Sequence, residues 1–398
     1  MKVAQVAVCV FFESNGPSNS VTGLCRALHG NDVEVELHAL GVPSIFKSLP
    51  SYAYYGYRSK RRFCLPPTVG YSPEMLSGLV SAAQSVDIVH SNGLWAFPNI
   101  YPSQAVSIVR RTKVDKNKTV PKLITAPRGC LAEWALRNSW LKKKLFGLFY
   151  GQYAALRLTD MFHATSEKEY EEIRAQGYKQ PVAIVPIGMD LPEVDINAEA
   201  QRRRGAESLR KILFFGRLHK VKGVDRLVRA WEKVVKDGWE LVIAGPDCGM
   251  LEVLKGIVAE EHVPRVSFVG EINGPAKYEF LAGGDIYVLP SDTENFGVTV
   301  TEALVSGTPV IASQGTPWQG LERERCGRWV PIGVEPLAAS LKEMMAMSDK
   351  ERAAMGARGR EWIRKDFSWK GIGAKMKAAY EWLLAPEKVE RPEWVVSD

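Results

Sequence analysis

Short apolar runs recur along the chain, most closing on Gly, Pro or Asn and followed by a helix-permissive stretch. In the first half they are Val3 to Phe12, Val33 to Leu40, Asp87 to His90, Lys122 to Thr125, Met161 to Thr165 and Val182 to Pro186. In the second half they are Lys211 to Phe215, Glu240 to Ala244, Val266 to Val269, Ile286 to Leu289 and Pro309 to Ala312. Short apolar runs alternating with helix-permissive stretches predict parallel sheets built from βαβ units. Two doubly wound α/β domains follow. The boundary is expected after Pro186-Ile187-Gly188-Met189-Asp190, where a polar stretch, Asp195 to Arg210, separates the two series. This gives domains at 1–190 and 191–365, with a helix at about 366–385 returning to pack on the first.

At 398 residues the chain suits two domains and excludes a single small module. Hydrophobic residues at 46% and charged residues at 24% exclude a disordered or fibrous chain. No run approaches the roughly 18 apolar residues of a membrane-spanning helix. The six cysteines stand far apart in sequence, without metal-ligand spacing, and read as reduced thiols of a cytoplasmic protein.

The net charge of +7 is unevenly placed. Residues 1–190 hold 22 Lys and Arg against 14 Asp and Glu, whereas the remainder holds 30 against 31. Such one-sidedness points to an anionic partner for the first half. The excess clusters at Arg58, Lys60, Arg61 and Arg62, at Arg110 to Lys122, and at Lys142, Lys143 and Lys144. Around the last cluster lie Trp140, Leu141, Leu145, Phe146, Leu148, Phe149, Tyr150 and Tyr153. The composition fits either a helix in an anionic membrane interface or a core-packed helix with a solvated lysine corner. No zinc finger or RNA-binding signature is present, and nucleic acid is not expected.

Two strand ends carry chemistry. After Ile212 to Phe215 comes Gly216-Arg217-Leu218-His219-Lys220-Val221-Lys222-Gly223, a glycine turn with two cations five apart leading into a helix near Val224. After Ile286 to Leu289 comes a loop containing Glu294, Asn295, Phe296, Gly297, Val298 and Thr299, which feeds a helix containing Glu302. Free N–H groups at that helix N-terminus, the Arg217 fork and the Lys222 point charge together suit a diphosphate. On one continuous helix Glu294 and Glu302 would point roughly 80° apart. With Glu294 in the loop, they can serve two ends of one ligand.

The runs FFGRLHKVKG, VIAGPD, VSFVGEI and ENFGVTVTEALVSGTPVIAS, in this order over about 209–332, resemble the C-terminal domain of the retaining GT-B glycosyltransferases of family 4. The first-half segments VHSNGLW, TAPRG, HATSEKE and VPIGMD are similar to bacterial polysaccharide and lipopolysaccharide members. The resemblance implies a GT-B fold with two Rossmann-like domains facing a central cleft. It implies Arg217 and Lys222 on the donor diphosphate, Glu294 on the donor sugar, Phe296 to Thr299 around sugar and phosphate, and Glu302 on the ribose. Gly270 and Glu271 fall where the family holds the base, and Gly216 and Asn295 complete the donor side. His90, Asn92 and Trp95 are the acceptor-side candidates.

The first half departs from the pattern. Where relatives open with a Gly-Gly loop, this chain reads Glu13-Ser14-Asn15-Gly16-Pro17-Ser18-Asn19, so only Gly16 and Asn19 carry over. Where many relatives place a His near the reacting centre, Arg128 stands in Ala126-Pro127-Arg128-Gly129. Arg stays charged and cannot be a general base. It can hold a diphosphate or an acidic sugar, or pair with Glu133.

The expected activity is retaining hexosyl transfer from a UDP- or GDP-linked sugar to a glycan acceptor, expected to be lipid-linked, in cell-surface polysaccharide assembly. The reacting groups are then Glu294, Arg217, Lys222 and Arg128, with no metal or other cofactor. The setting is peripheral, on the inner face of the cytoplasmic membrane. Alternatives are a nucleotide-sugar-binding protein without turnover and a nucleotide-sugar 2-epimerase. A nicotinamide dehydrogenase would want G-x-G-x-x-G after the first strand, which is missing.

Overall fold

The computed structural model describes residues 1–10, 16–41, 51–60, 69–112, 120–137, 139–191 and 209–397. Arg61, Arg62, Lys113, Lys116, Lys118 and the loop Glu13 to Asn15 lie outside the described residues. The chain forms two compact units, Met1–Gly188 with Trp369–Asp398, and Met189–Ser368.

The first unit carries β1 (Lys2–Cys9), β2 (Glu34–Leu40), β3 (Ala53–Tyr57), β4 (Ile88–Asn92), β5 (Lys122–Ala126), β6 (Met161–Ala164) and β7 (Val182–Ile184). These are parallel, in the spatial order 3-2-1-4-5-6-7. The central strands are buried on both faces because helices cover both. On one side, helices Gly16–His29 and Trp369–Leu384 supply Leu24, Leu28, Met376 and Tyr380. On the other, helices Pro73–Ala83 and Phe97–Thr112 supply Leu79, Ile100 and Val106. The Trp369 ring is held where a Cβ on Gly23 or Gly188 would stand 2.1 or 2.3 Å from it, so both positions must be glycine for the C-terminal helix to seat.

The second unit carries β8 (Arg210–Phe215), β9 (Trp239–Ala244), β10 (Val266–Gly270), β11 (Ile286–Leu289), β12 (Val310–Ser313) and β13 (Gly327–Val330), all parallel, in the order 10-9-8-11-12-13. Counted within its own unit, each sheet contains the order 3-2-1-4-5-6, which the first extends by β7 and a further edge strand, β14 (Val395–Val396), so strand order reverses between β1 and β4 in the first and between β8 and β11 in the second. Ligands in such sheets bind outside the carboxyl ends of the strands at that reversal. Both candidate loops of the second half leave the two strands that flank it.

Three edge strands have no counterpart among the apolar runs: β3, β13 and β14 (Val395–Val396), the last running antiparallel to β7.

Candidate functional site

The glycine turn after β8 is fastened to the end of β9. Gly216 N–H donates to Ala244 O at 3.0 Å, Leu218 N–H to Pro246 O at 2.9 Å, and Cys248 N–H to Leu218 O at 3.0 Å. A Cβ on Gly245, whose φ is +140°, would stand 1.8 Å from Gly216 O, so glycine is required there. Arg217, fastened by its backbone neighbours, is exposed, and its guanidinium has no protein partner among the described residues. His219 accepts from Val221 N–H at 3.2 Å and caps the short turn Lys220–Lys222, a structural role. Lys222 is thereby delivered to the loop after β11.

There its Nζ lies 2.5 Å from Glu294 Oε1, with both side chains about one-seventh exposed. Ser291 Oγ donates to the same oxygen at 2.7 Å. The loop is fixed on both sides: Glu294 N–H donates to Gly315 O at 3.0 Å, and Asp292 N–H to Val221 O at 2.8 Å. Arg226 donates to Pro290 O at 2.9 Å and to Asp292 Oδ1 at 2.6 Å, so the Asp292 carboxylate is already engaged. Gly297, with φ +80°, is the N-cap of the helix Val298–Val305 and, being glycine, offers no capping side chain of its own. Phe296 is buried edge-on to Trp318, whose Nε1–H donates to Phe296 O at 2.5 Å. Thr299 Oγ1 is 2.7 Å from the Tyr287 hydroxyl, which also donates to Phe215 O at 3.1 Å and so ties the two loops together. Asn295 is half-buried in the same loop.

Glu302 lies in the second turn of that helix, 6% exposed, with Lys277 Nζ 2.5 Å from its Oε1. Burial raises the Glu302 carboxyl above its ordinary range, and Lys277 opposes the rise. Lys277 and Ser291 were not among the residues the sequence singled out. Gly270, in the left-handed region, and Glu271 are exposed at the end of edge strand β10.

In the first unit the candidates at the ends of β4 and β5 form one network. His163 Nε2 lies 2.8 Å from Val185 O, so this nitrogen carries the proton. His163 Nδ1 must then accept, at 3.4 Å, from His90 Nε2–H, leaving His90 Nδ1 to accept from the Tyr380 hydroxyl at 2.7 Å. One tautomer of each ring satisfies the chain, and an added proton on either breaks it. Both imidazoles are buried; burial drives His90 well below its ordinary pKa and His163 down to about 3, with the Arg128 charge adding to each.

Asn92 Nδ2 donates to Gln5 Oε1 at 3.0 Å, and its Oδ1 accepts from Arg128 Nη2 at 2.8 Å. Of the alternatives open to Arg128, the pairing with Glu133 is not formed: Glu133 is paired with Arg137 at 2.7 Å, one helical turn on. Trp95 has a structural role, donating through its N–H to Gln152 Oε1 and through its indole to Cys130 O. Gly16 begins helix Gly16–His29, and Asn19 is exposed one turn in.

Helix Trp140–Phe149 shows an unusual surface. At 100° per residue, Trp140, Leu148, Leu141, Leu145 and Phe149 fall within one half of the helix, and all five are exposed, Phe149 by 76%. Phe146, on the opposite face, is buried against Phe97. Lys144 lies within the apolar half and sits 5.9 Å over the Trp140 ring, and Lys142 borders it. A cavity of about 520 Å³ beside this helix is lined by Leu131, Leu136, Trp140 and Glu172 among others, and by none of the residues singled out at the strand ends. No described helix is long and apolar enough to cross a membrane.

Comparison with known proteins agrees with this layout. Residues 14–193 match the model for Glycosyltransferase Family 4, and residues 195–362 the model for Glycosyl transferases group 1. A phosphatidyl-myo-inositol mannosyltransferase of Mycobacterium leprae is 24% identical over 96% of both chains. A GDP-mannose-dependent alpha-(1-6)-phosphatidylinositol monomannoside mannosyltransferase of Mycobacterium tuberculosis is 28% identical over 57% of this chain and 59% of its own. Among solved structures, sucrose-phosphate synthase from Thermosynechococcus elongatus superposes with a TM-score of 0.73 at 21% identity, covering 97% of this chain and 99% of that one. Anabaena HepE, solved with UDP and glucose, gives 0.72 at 16% identity, covering 96% and 99%. These likenesses show the GT-B fold.

Proposed function

The chain is a GT-B glycosyltransferase of the group 1, family 4 type, and from that premise we propose that it moves a hexosyl group, with retention, from a UDP- or GDP-linked sugar to a hydroxyl of a glycan acceptor. The observation that carries the reading is the gathering at the β8–β11 reversal of Arg217, without a partner among the described residues, the Lys222 ammonium, a helix N-terminus whose N-cap is a glycine, and the Glu294 carboxylate. Two cations and a set of N–H dipoles are suited to a diphosphate whose charge grows as it leaves.

In this mechanism Arg217 grips the diphosphate oxygens and Lys222 adds charge at the leaving oxygen. Glu294 holds hydroxyls of the donor sugar, and Glu302 those of the ribose. The anomeric C–O bond to phosphate breaks, and the bond to the acceptor oxygen forms on the same face. The acceptor proton passes to the departing phosphate oxygen. With His90 and His163 locked neutral by their own hydrogen bonds, neither is available as a base. The protein's own cations carry the electrostatic work, and the proposal assigns none of it to a divalent ion.

The acceptor is assigned to the first unit and to a lipid carrier, in assembly of a cell-surface polysaccharide such as an exopolysaccharide, capsule or O-antigen. The basic first half and the exposed apolar face of helix Trp140–Phe149 support a peripheral station on an anionic membrane surface. Two relatives are named as phosphatidylinositol or phosphatidylinositol-monomannoside mannosyltransferases, which supports a lipid-borne acceptor.

The test is a thermal-shift and calorimetric screen against UDP, GDP, ADP, CMP and NAD, with and without EDTA. Binding of one nucleoside diphosphate that ignores EDTA and is lost in Arg217→Ala is expected. Binding that needs a divalent ion, or no diphosphate binding, overturns the mechanism.

A further inference from the structure

Arg128 is a charged side chain with an incomplete set of partners. Of its five N–H donors, those on Nε and Nη2 converge on one acceptor, Asn92 Oδ1, at 3.3 and 2.8 Å. Nη1 has no protein partner among the described residues, and no carboxylate there pairs with the guanidinium. The Asn92 amide cannot turn to offer more, because its Nδ2 is committed to Gln5 Oε1 and faces the carbonyl oxygens of Val6 and His90. The backbone is held in place at some cost. Arg128, a residue with a Cβ, has φ +56°, and the N–H of the next residue, Gly129, is fixed on Glu169 Oε1 at 2.7 Å.

The surrounding charges leave Arg128 without a counter-ion among the described residues. Glu169 is the carboxylate whose field reaches Arg128, yet its oxygens are taken by Gly129 N–H, Thr165 N–H and the Thr165 hydroxyl. The two nearby imidazoles are neutral. A half-buried guanidinium facing an amide oxygen and two neutral rings lacks the counter-ion that such a charge normally has. Its planar fork with one free edge is the geometry that receives a carboxylate or phosphate.

We propose that Arg128 is an anion seat in the first unit, binding a carboxylate or phosphate group carried by the acceptor. The assignment rests on the acceptor reading above and narrows it to acidic acceptors: a uronic acid residue, or a sugar or lipid bearing a phosphate. Arg128 does no proton transfer in this role. It selects and positions.

The experiment titrates the full-length protein with methyl glucuronide, glucose 6-phosphate and neutral methyl glucoside, alongside UDP and GDP. One or both acidic sugars are expected to bind at least about tenfold more tightly than methyl glucoside. The uronide arm and the phosphate arm identify which anion is read. Arg128→Gln, which can still donate to Asn92, should abolish the preference, and Arg128→Lys should keep part of it. Both should leave nucleoside diphosphate affinity unchanged, with melting temperatures confirming that the variants fold. Absence of any preference for the acidic sugars, or its survival in Arg128→Gln, overturns the proposal. A parallel loss of diphosphate affinity in Arg128→Gln overturns it by moving the guanidinium to the donor. Failure of the wild-type protein to bind any nucleoside diphosphate would instead strike the transferase reading.

Discussion

Lys222 and Glu294 neutralise each other at the reversal of the second sheet, Nζ to Oε1 at 2.5 Å, while Arg217, in the turn after β8, has no partner among the described residues. The cation proposed for the diphosphate and the carboxylate proposed for the sugar are thus stored as a pair. A donor lying across both must replace that pairing with its own phosphate and hydroxyls, which couples the two halves of donor recognition. Lys222→Ala is expected to weaken nucleoside diphosphate binding about tenfold or more. Glu294→Gln, which frees Lys222, should leave that affinity within about threefold while lowering kcat/KM roughly a hundredfold. Calorimetry with the diphosphate and initial rates with the sugar donor separate the two effects.

Gly245→Ala tests whether the Arg217 loop depends on the end of β9. The added Cβ would fall 1.8 Å from Gly216 O at a backbone angle that side chains avoid. A loss of about 2–4 kcal/mol in urea unfolding is expected, with weakened diphosphate binding because the displaced residue is the one before Arg217.

The Glu302–Lys277 pair is mostly buried, and burial disfavours the Lys277 ammonium, but the Glu302 carboxylate still leaves its pKa raised. Glu302→Gln should therefore cost about 1–3 kcal/mol by stranding the cation. Adding Lys277→Met should recover part of that loss, a non-additivity that denaturant titration of the four variants measures.

The loops after β8 and β11 were legible because each is a contiguous run whose residue types suit a diphosphate and a sugar, and both leave strands recognisable as short apolar runs. Lys277 was not, since it meets Glu302 from 25 residues away on a helix that follows an edge strand, and no spacing rule links the two. The same reason hid the environment of His90: its partner Tyr380 stands 290 residues away. The Arg128–Glu133 pair, one of the alternatives the sequence offers, does not form because Glu133 sits at the start of its own helix with Arg137 one turn on, the shorter-range match. Strands β3, β13 and β14 escaped notice because edge strands need not be apolar on both faces, and β14 is only two residues long.

The His90–His163 chain makes stability pH-dependent in a definite direction. Both rings are held neutral in the fold, His163 with a pKa pushed to about 3, whereas the unfolded chain protonates near 6.5. The unfolded state therefore binds more protons below that point, so stability is full above about pH 6.5 and falls as the pH drops toward 3. The slope should reach about 1.4 kcal/mol per pH unit for each histidine. His163→Asn should remove one histidine's share of the slope, seen in urea unfolding at pH 7 and pH 5.

Five exposed apolar side chains on one half of the ten-residue helix Trp140–Phe149 present a surface that water disfavours, and Lys142 and Lys144 place positive charge at its border and within it. Neither element alone holds a protein at a bilayer firmly; together they add apolar insertion to attraction of about 1 kcal/mol per basic residue near an anionic leaflet. Binding to vesicles containing phosphatidylglycerol should thus exceed binding to neutral phosphatidylcholine vesicles and weaken as salt rises. Leu148→Glu with Phe149→Glu should abolish it while leaving the melting temperature unchanged, since neither side chain is buried. Lys142→Glu with Lys144→Glu should remove the preference for anionic lipid but leave weak neutral binding. Equal cosedimentation of all these proteins with both vesicle types would show that the face serves something other than a membrane.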